Sequence, residues 1–544
     1  MKIADMEHPA ADHLDHPVIE HLKKEFGGVL DGPVTRNANE VYMTVTREAL
    51  PWVCEYLHHQ LSAPLATIVG TDERQIDGTF KLSYVFSLDK ADLFVVVRAA
   101  LGEAVVPGEM VDFPSVTPKI PAANWYEREV RDMLGLAPAG HPDPERLVLH
   151  RDWPLGVFPL RKDCVFPSEL PRGEGVFSFR KVDGEGIFQI PVGPVHAGII
   201  EPGHFRFSAV GDTIVNLEAR LFYTHRGVEK HCEGQDYRQV VLVAERLCGA
   251  CAFSHSLAYC QAVERIAGVE APPRALHIRT VFQELERLYN HIGDVGNICA
   301  GIGFALGTAH GSRLKERLMG LNETLAGNRF LRGVNVVGGV RRDISPETSQ
   351  EIAAVLRVVD PDFRELVEIL MSTDSYLDRV TGTGVLGLEV ARDLGVVGPA
   401  ARATGIDRDT RREHPYAAYG KVNFQVPVYA EGDVLARVKV RIDEVFESIG
   451  IIQQALEALP DGPLSVPVGE LPAYRHALGY VESPRGEDIH WVMTGPQNTI
   501  YRYMARSASY CNWPAVPFAV RGNIVPDFPL INKSFELCYS CLDR

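Results

Sequence analysis

Two CxxC motifs, far apart in the sequence, contain the residues best suited to chemistry. The first is Cys248-Gly-Ala-Cys251, and the second is Cys538-Tyr-Ser-Cys541, close to Arg544. Two thiolates at this spacing can bind one soft metal ion, and two such pairs can form a four-sulfur site. Because the ends of a chain usually fray, the second motif requires the end of this sequence to be drawn into the interior.

The spacing of the cysteines alone leaves three interpretations open. Structural zinc sites usually take their two cysteine pairs from nearby positions, whereas these pairs flank a long stretch of chain. A redox dithiol of the thioredoxin type predicts one CxxC motif at the start of a helix, not two. A catalytic metal centre is the third interpretation. Structural zinc, redox thiols and a catalytic metal therefore all stay possible at this point.

Polar residues near the first motif favour a functional site. If the segment after Cys251 opens a helix, His255 lies on the same helix face as that thiol. Arg246 precedes the motif and is a candidate hydrogen-bond donor to the sulfurs. Glu201 and His204 place a carboxylate and an imidazole in an apolar stretch suited to carrying a proton. Each residue taken alone could equally be a structural polar group.

Two further segments carry clustered charge. Glu229 lies in Tyr223–Lys230, where the crowding of charges is typical of a solvated helix end. Arg485 lies between Pro484 and Gly486, in a turn that either aims its guanidinium at a site or is simply polar.

Composition excludes several classes of protein. The net charge of −16 argues against a nucleic-acid binder, which normally presents a basic face. No apolar run approaches the roughly 18–20 residues that span a bilayer, and the polar N-terminus does not resemble a secretory signal. Ten cysteines are too few for a disulfide scaffold in a chain of 544 residues. We expect a soluble, cytoplasmic protein that can attach to a membrane through partners.

Hydrophobic periodicity predicts an α+β fold with two domains. Strands are predicted at Val41–Thr46, Thr79–Leu88 and Leu93–Arg98, and a helix at Ala49–Leu61. The proline-dense segment 137–172 is predicted to be an extended arm or linker that could dock a partner.

The second half is predicted to be mainly helical with a peripheral β-sheet. Long helical stretches are expected at Arg274–Leu331, Thr348–Met371 and Val438–Leu459, with strands near Phe188 and His204. The predicted divisions are an N-terminal extension (1–38), a small α/β-sandwich-like domain (39–165), a linker (166–185) and the large domain (186–544).

The segment Glu245–His255, together with a second CxxC motif near the end of the chain, resembles the catalytic large subunit of [NiFe]-hydrogenases. More narrowly, it resembles the energy-converting, complex-I-related group that includes formate hydrogenlyase. Tyr126–Leu136 and Leu160–Asp163 are similar to the 30-kDa subunit of complex I, and Phe222–Lys230 to the 49-kDa quinone-site subunit. The resemblance covers roughly residues 40–544 and implies a fusion of these two modules.

The resemblance implies a cofactor, a NiFe(CO)(CN)2 centre. Cys248, Cys251, Cys538 and Cys541 would hold nickel, and Cys251 and Cys541 would also bridge to an iron that carries CO and cyanide. Complex I subunits of this ancestry have lost these thiols, whereas this chain keeps all four. Thiolates are soft ligands that suit such metals.

Other site residues take their expected roles from the same resemblance. Glu201 matches a proton-relaying glutamate, Arg485 an arginine above the open metal position, and His255 a donor to a bridging sulfur. Glu229 matches a carboxylate that in some relatives ligates a further magnesium or iron ion near the C-terminus.

Two departures from the family pattern concern the end of the chain. Glu536-Leu537 stands where Asp-Pro is common, and Arg544 stands where many processed members end in histidine. An end at Arg544 would suit a chain from which a protease has removed a tail after nickel insertion, and equally a genuine gene end.

The function that the resemblance implies is the interconversion of protons, electrons and H2, in the direction of H2 evolution. The implied partners are an iron–sulfur small subunit, ferredoxin-like electron-transfer subunits and membrane antiporter-like subunits on the cytoplasmic face of the plasma membrane. The alternative is a complex I-like coupling subunit, at a quinone site, that keeps its cysteines for structural zinc and has no hydrogenase activity.

Overall fold

The computed structural model describes residues 17–102, 108–166, 170–173, 175, 177–196 and 200–544. The chain forms two compact units, Met1–Gly175 and Val176–Arg544. The division falls inside the predicted linker, parts of which lie outside the described residues, as do residues 1–16 of the predicted extension. Among the described helices, none combines the length and the apolar composition needed to cross a membrane.

A five-stranded sheet forms the core of the first unit, in the order β1-β2-β5-β4-β3. Strands β2 and β5 are parallel, and the other neighbouring pairs are antiparallel. The strands predicted near Val41, Thr79 and Leu93 are confirmed. The elements of this unit are α1 (Pro17–Phe26), β1 (Thr35–Asn37), β2 (Glu40–Thr44), α2 (Leu50–Glu55), β3 (Leu65–Asp72), β4 (Phe80–Leu88), β5 (Leu93–Leu101), β6 (Val111–Pro114), α3 (Asn124–Leu134) and β7 (Leu136–Ala139).

Described residues before position 39 pack with the small domain as part of the first unit. Helix α1 buries an apolar face, and the ring of Phe26 lies edge-on to Trp52 and Tyr56, with centroids 5.2 Å away in each case. Strand β1 pairs with β2 through a tight turn. The first thirty-odd residues were predicted to form a helix and a loop at the surface, and the helix buries three side chains: Ile19, Leu22 and Phe26.

Residues 147–161 of the proline-dense segment pack within the first unit instead of extending as an arm. Asp132 of α3 accepts hydrogen bonds from the backbone N–H groups of Leu147, Val148 and Leu149 at 2.8, 2.9 and 3.2 Å. Arg161 is buried and donates from Nε to the carbonyl oxygen of Leu134. Proline prevents regular structure here, but buried side chains can still satisfy the free backbone groups.

Long helices dominate the second unit. The stretch predicted as Arg274–Leu331 is two antiparallel helices, α7 and α8, that approach closely at Gly296 and Gly311. A Cβ on Gly311 would lie 2.7 Å from the Gly296 Cα, so a larger residue would separate the helices. The helices are α4 (Val228–Cys232), α5 (Tyr237–Ala244), α6 (Ala252–Ala267), α7 (Pro273–Gly301), α8 (Ala305–Ala326), α9 (Pro346–Met371), α10 (Asp374–Val380), α11 (Leu388–Asp393), α12 (Gly398–Arg402), α13 (Thr410–Glu413), α14 (Val434–Glu457), α15 (Ala508–Asn512), α16 (Val516–Val520), α17 (Phe528–Phe535) and α18 (Ser540–Asp543).

Small antiparallel sheets complete the second unit and confirm the α+β class. One partly exposed sheet has the order β10-β9-β8, and one almost fully buried sheet has the order β13-β14-β15. Helix α6 packs on β13 at Gly479, where a Cβ would lie 1.7 Å from the Ala258 carbonyl oxygen. The strands are β8 (Ile187–Val192), β9 (His204–Val210), β10 (Thr213–Arg220), β11 (Asn335–Val336), β12 (Gly339–Val340), β13 (His476–Ser483), β14 (Gly486–Thr494) and β15 (Ile500–Arg506).

The Asp132 carboxylate gives a test of how the proline-dense segment is held. We expect Asp132→Ala to raise amide exchange at residues 147–149 by about tenfold or more, because hydrogen bonds to a charged group contribute roughly 1.5–3 kcal/mol. Hydrogen exchange with mass spectrometry on the full chain measures this change. Asp31→Ala, at an exposed aspartate, is the control. Unchanged exchange at residues 147–149 in Asp132→Ala would show that the carboxylate does not hold the segment.

Candidate metal centre

Both CxxC motifs meet in one cluster in the interior of the second unit. The sulfurs of Cys248 and Cys538 are 3.2 Å apart, and those of Cys248, Cys538 and Cys541 all lie within 4.8 Å of one another. Cys251 lies beside them, close enough for its thiol to affect the pKa of Cys248. No described cysteine forms a disulfide. The structure therefore gathers the four thiols that the sequence places in two distant motifs.

The first motif is positioned by the start of α6. Cys251 immediately precedes the helix, as the prediction for His255 requires. The buried Glu286 of α7 accepts hydrogen bonds from the N–H groups of Phe253 and Ser254 at 2.7 and 3.0 Å. These donors would otherwise be unsatisfied in the first turn of a helix. The backbone N–H of Ala250 points at the sulfur of Cys248, 3.3 Å away.

The second motif is held by contacts to three different segments. The N–H of Cys538 donates to Ser509 Oγ at 3.0 Å, and the N–H of Ser540 donates to Glu201 Oε2 at 2.7 Å. Asp543 accepts from the N–H groups of Phe222 and Thr224 at 3.0 and 2.9 Å. These bonds draw the end of the chain into the interior.

The four thiols favour a cation between them. Hydrogen bonds from Cys251, Cys538 and Cys541 lower the pKa of the Cys248 thiol well below its ordinary value. The pKa of Cys541 is raised, mainly by burial. Neighbouring thiolates repel one another, so a metal-free cluster holds little negative charge. A bound metal ion would displace the other protons and bring all four sulfurs to the thiolate form.

His255 lies in the first turn of α6, beside the cluster. Its Nδ1 is 3.0 Å from Nε2 of His490, which in turn contacts the hydroxyl of Tyr503. In the part of the chain that the structure describes, the buried Nε2 of His255 has no hydrogen-bond partner. A buried imidazole nitrogen normally has a partner, so a sulfur or a group bound to the cluster is the partner that fits.

Glu201 and Arg485 also border the cluster. Burial, together with the nearby charge of Cys248, raises the pKa of Glu201. Arg485 occupies the turn between β13 and β14, where its guanidinium forms a bidentate pair with Asp294, including a 3.0 Å bond from Nη2 to Oδ1. Although burial opposes its charge, Asp294 raises the pKa of Arg485, and the charges of Cys538 and Cys251 act in the same direction.

The prediction for Arg246 is corrected. Its guanidinium is half exposed and donates to the carbonyl oxygen of Leu242 at 2.5 Å and to Glu245 at 2.6 Å. No described contact joins Arg246 to a cysteine sulfur. The buried Glu245 also accepts the N–H of Gly333, so the charge of Arg246 is used to pair a structural carboxylate.

Glu229 is buried, but its neighbours are arginines. Oε2 accepts a hydrogen bond from Arg502 and Oε1 accepts one from Arg544, each at 2.7 Å. Burial would raise the pKa of Glu229, but the two guanidinium groups outweigh it and lower the pKa. The segment predicted as a solvated helix end is thus partly internal.

Sequence reasoning missed Arg226, which bridges the two motifs. Its guanidinium donates to the carbonyl oxygens of Leu247 and Ser540, both at 2.9 Å, which directly precede Cys248 and Cys541. Its backbone N–H donates to the Arg544 carbonyl oxygen at 2.7 Å. The charged residues around Arg226 were visible in the sequence, but the groups that its guanidinium contacts were not. Asp294 was missed too, because nothing in its helical context marks it as the partner of Arg485.

The turn at Glu536, where the sequence differs from the common Asp-Pro, is held by contacts to neighbouring residues. Glu536 ends α17 in the left-handed region, with φ 51°, and accepts a 2.5 Å hydrogen bond from Asn297. Burial and the charge of Asp294 raise the pKa of Glu536 to about 7. The turn before Cys538 therefore forms without the proline that is common at this place in the family.

Comparison with known proteins identifies the family of the chain. Residues 226–294 match the family described as nickel-dependent hydrogenase. Residues 302–473 and 464–544 match the respiratory-chain NADH dehydrogenase 49 Kd subunit, and residues 43–169 match the 30 Kd subunit. The chain is 40% identical to formate hydrogenlyase subunit 5 of Escherichia coli (strain K12), over 96% of this chain and 92% of that protein.

The chain belongs to the [NiFe]-hydrogenase large-subunit family. The complex-I-related resemblance is confirmed, and the chain is the catalytic subunit of a membrane-associated hydrogenase. Hydrogenase-4 component G of Escherichia coli (strain K12) is 39% identical, over 97% of this chain and 92% of that protein. The carbon monoxide-induced hydrogenase of Rhodospirillum rubrum is 33% identical, over 66% of this chain and 99% of that protein.

One solved structure with a similar fold extends the comparison. A chain in the membrane-bound sulfane sulfur reductase, an archaeal respiratory membrane complex, matches with a TM-score of 0.63 and 28% identity. The match covers 66% of the hydrogenase subunit and 99% of that chain.

The bridging contacts of Arg226 predict that it holds the two motifs in register. We expect Arg226→Ala to lower metal retention by the purified full-length subunit about tenfold, because a guanidinium that donates to two carbonyl oxygens is lost. Metal content after gel filtration measures the change. Arg238→Ala, at a largely exposed arginine paired with Asp236, is the matched control. Full metal retention in Arg226→Ala would contradict the bridging role.

Proposed function

We propose that the four cysteines hold a nickel–iron centre with CO and cyanide ligands on the iron. Two observations support the fit of the residues present: the sulfurs of Cys248, Cys538 and Cys541 lie within 4.8 Å of one another with Cys251 beside them, and His255 Nε2 lacks a described hydrogen-bond partner. Four thiolates form the soft donor set that nickel and low-spin iron take. When bound, the centre supplies the electron-transfer chemistry that interconverts protons and H2.

Glu201 is the residue we propose to carry protons between the centre and the surroundings. Its carboxyl is half-buried, accepts the N–H between Cys538 and Cys541, and has a raised pKa. A carboxyl with a pKa raised toward the working pH can both take up and release a proton.

Arg485 and His255 are proposed to orient and stabilise the site. The Asp294 carboxylate holds the Arg485 guanidinium in one orientation, so its positive charge is fixed near the sulfurs without reorganisation. His255 keeps one ring nitrogen on His490, which leaves the other to donate toward the thiolate cluster. Both roles follow from the family resemblance and agree with these contacts.

Electrons require partner subunits, because apart from the site cysteines the described residues offer no four-cysteine group for an iron–sulfur cluster. We propose an iron–sulfur small subunit, ferredoxin-like electron-transfer subunits and antiporter-like membrane subunits, and peripheral attachment to the cytoplasmic face of the membrane. The similarity to formate hydrogenlyase subunit 5 and to a chain of an archaeal respiratory membrane complex supports a multisubunit, membrane-attached arrangement. The direction that we propose is H2 evolution.

The gathering of the four cysteines is the observation that carries this function, and metal identity tests it. We expect elemental analysis of the purified complex to find about one nickel and one iron per chain, and infrared spectra to show bands of metal-bound CO and cyanide. The competing function, a complex I-like coupling subunit, predicts zinc without nickel. Zinc at the four thiols together with absent infrared bands would refute the nickel–iron assignment.

The role of Glu201 is tested by Glu201→Gln. Glutamine keeps an oxygen to accept the N–H of Ser540 but cannot carry a proton, so we expect H2 turnover to fall by about 10²–10⁴-fold with nickel and iron contents unchanged. Hydrogen evolution and metal content are measured on the same sample. Glu185→Gln, at an exposed glutamate, is the control and should keep full turnover. Loss of the metals in Glu201→Gln would instead make Glu201 a structural residue.

A further inference from the structure

The surroundings of Glu229 do not fit the divalent ion that the family resemblance places there. Both carboxylate oxygens already accept 2.7 Å hydrogen bonds from guanidinium groups, those of Arg502 and Arg544. The three side chains are only 3–5% exposed. Magnesium binds through oxygen ligands in a nearly ideal octahedron, and here the carboxylate oxygens are taken by nitrogen donors.

The charge of these side chains is a second reason why a divalent ion does not fit at Glu229. The three side chains together carry a net positive charge, because two guanidinium groups face one carboxylate. A dication placed at the same carboxylate would be repelled by both arginines at short range, in an interior that screens charge weakly. Arg544 cannot lose its proton to relieve this repulsion, because a guanidinium stays protonated in proteins.

We propose that the Arg544 guanidinium replaces the divalent ion and anchors the Cys538–Arg544 segment on Glu229. The same guanidinium donates from Nη1 to the carbonyl oxygen of Ala505 in β15 at 2.9 Å and lies 5.2 Å from the ring centroid of Tyr510. It thereby joins α4, β15 and α15 to the residue that follows α18. A divalent ion would make the same connection through oxygen ligands.

The anchor positions one of the thiols. Cys541 lies in α18, and the N–H of Arg544 donates to the Ser540 carbonyl oxygen at 3.1 Å, so displacement of Arg544 would shift this short helix. Arg544 is a positioning residue that acts through Cys541 and touches no reacting atom. This inference concerns how the segment is held and is independent of which metal the thiols bind.

Metal content of the unaltered complex is the first test. We expect no stoichiometric magnesium, manganese or second iron beyond the thiol-bound metals. We also expect the amides at residues 538–544 to exchange at the same rate in EDTA and in added Mg²⁺. Nickel and iron are measured in the same samples, so loss of the thiol-bound metals is distinguished from loss of another ion. A further divalent ion in stoichiometric amount, which disappears in Glu229→Gln, would overturn the proposal.

Substitution of Arg544 is the second test. Removing one member of a buried ion pair is strongly destabilising, so Arg544→Ala should speed amide exchange at residues 538–544 by at least about tenfold. Arg544→Lys should have a smaller effect, because the charge is kept while the geometry of the guanidinium is lost. Arg521→Ala, at an exposed arginine, is the control. Exchange in Arg544→Ala equal to that of the parent chain would overturn the anchoring role.

Discussion

The hydrogenase site depends on closing a loop of 290 residues between Cys248 and Cys538. The entropic cost of such a closure is on the order of 5 kcal/mol. The thiols alone do not offset it, because adjacent thiolates repel one another. Protein groups do so instead: Arg226 donates to the backbone beside both motifs, and Asp543 accepts two backbone N–H groups. Since hydrogen bonds to charged groups contribute roughly 1.5–3 kcal/mol each, these contacts can gather the thiols before any metal binds.

Buried charged side chains of the second unit form a network of ion pairs that leads to Asp294 and Arg485. The carboxylate of Glu444 accepts hydrogen bonds from Arg402 at 2.6 Å and from His291 at 2.7 Å. His291 Nδ1 in turn lies 3.7 Å from the Asp294 carboxylate, which holds Arg485. Buried ion pairs are weak sources of stability, but removing one partner leaves a costly unpaired charge. This network therefore fixes the orientation of Arg485 more than it stabilises the fold.

Sequence periodicity predicted the elements whose apolar pattern is local and regular. The helix starting near Thr348 is confirmed with Ser345 as its cap, and the structure brings the two CxxC motifs into one cluster. The buried sheet β13–β15 was not predicted, because a strand buried on both faces loses its alternation. The packing of the proline-dense segment depends on hydrogen bonds to Asp132, and the orientation of the Arg246 side chain depends on its pairing with Glu245. Tertiary contacts determine this packing and this orientation, and no local sequence pattern encodes them.

Two carboxyl groups beside the site illustrate how environment divides their roles. Asp294 is more deeply buried, yet Arg485 pairs with it and lowers its pKa, so it stays charged and acts as a fixed anion. Glu201 has no such cation in direct contact among its described hydrogen bonds, and burial raises its pKa. Ionisation is therefore favoured at Asp294 and disfavoured at Glu201, relative to an ordinary carboxyl group. A proton carrier needs a carboxyl group that is not held in its charged form, whereas an orienting anion needs one that is. The same functional group therefore serves as fixed charge at Asp294 and as the candidate proton relay at Glu201.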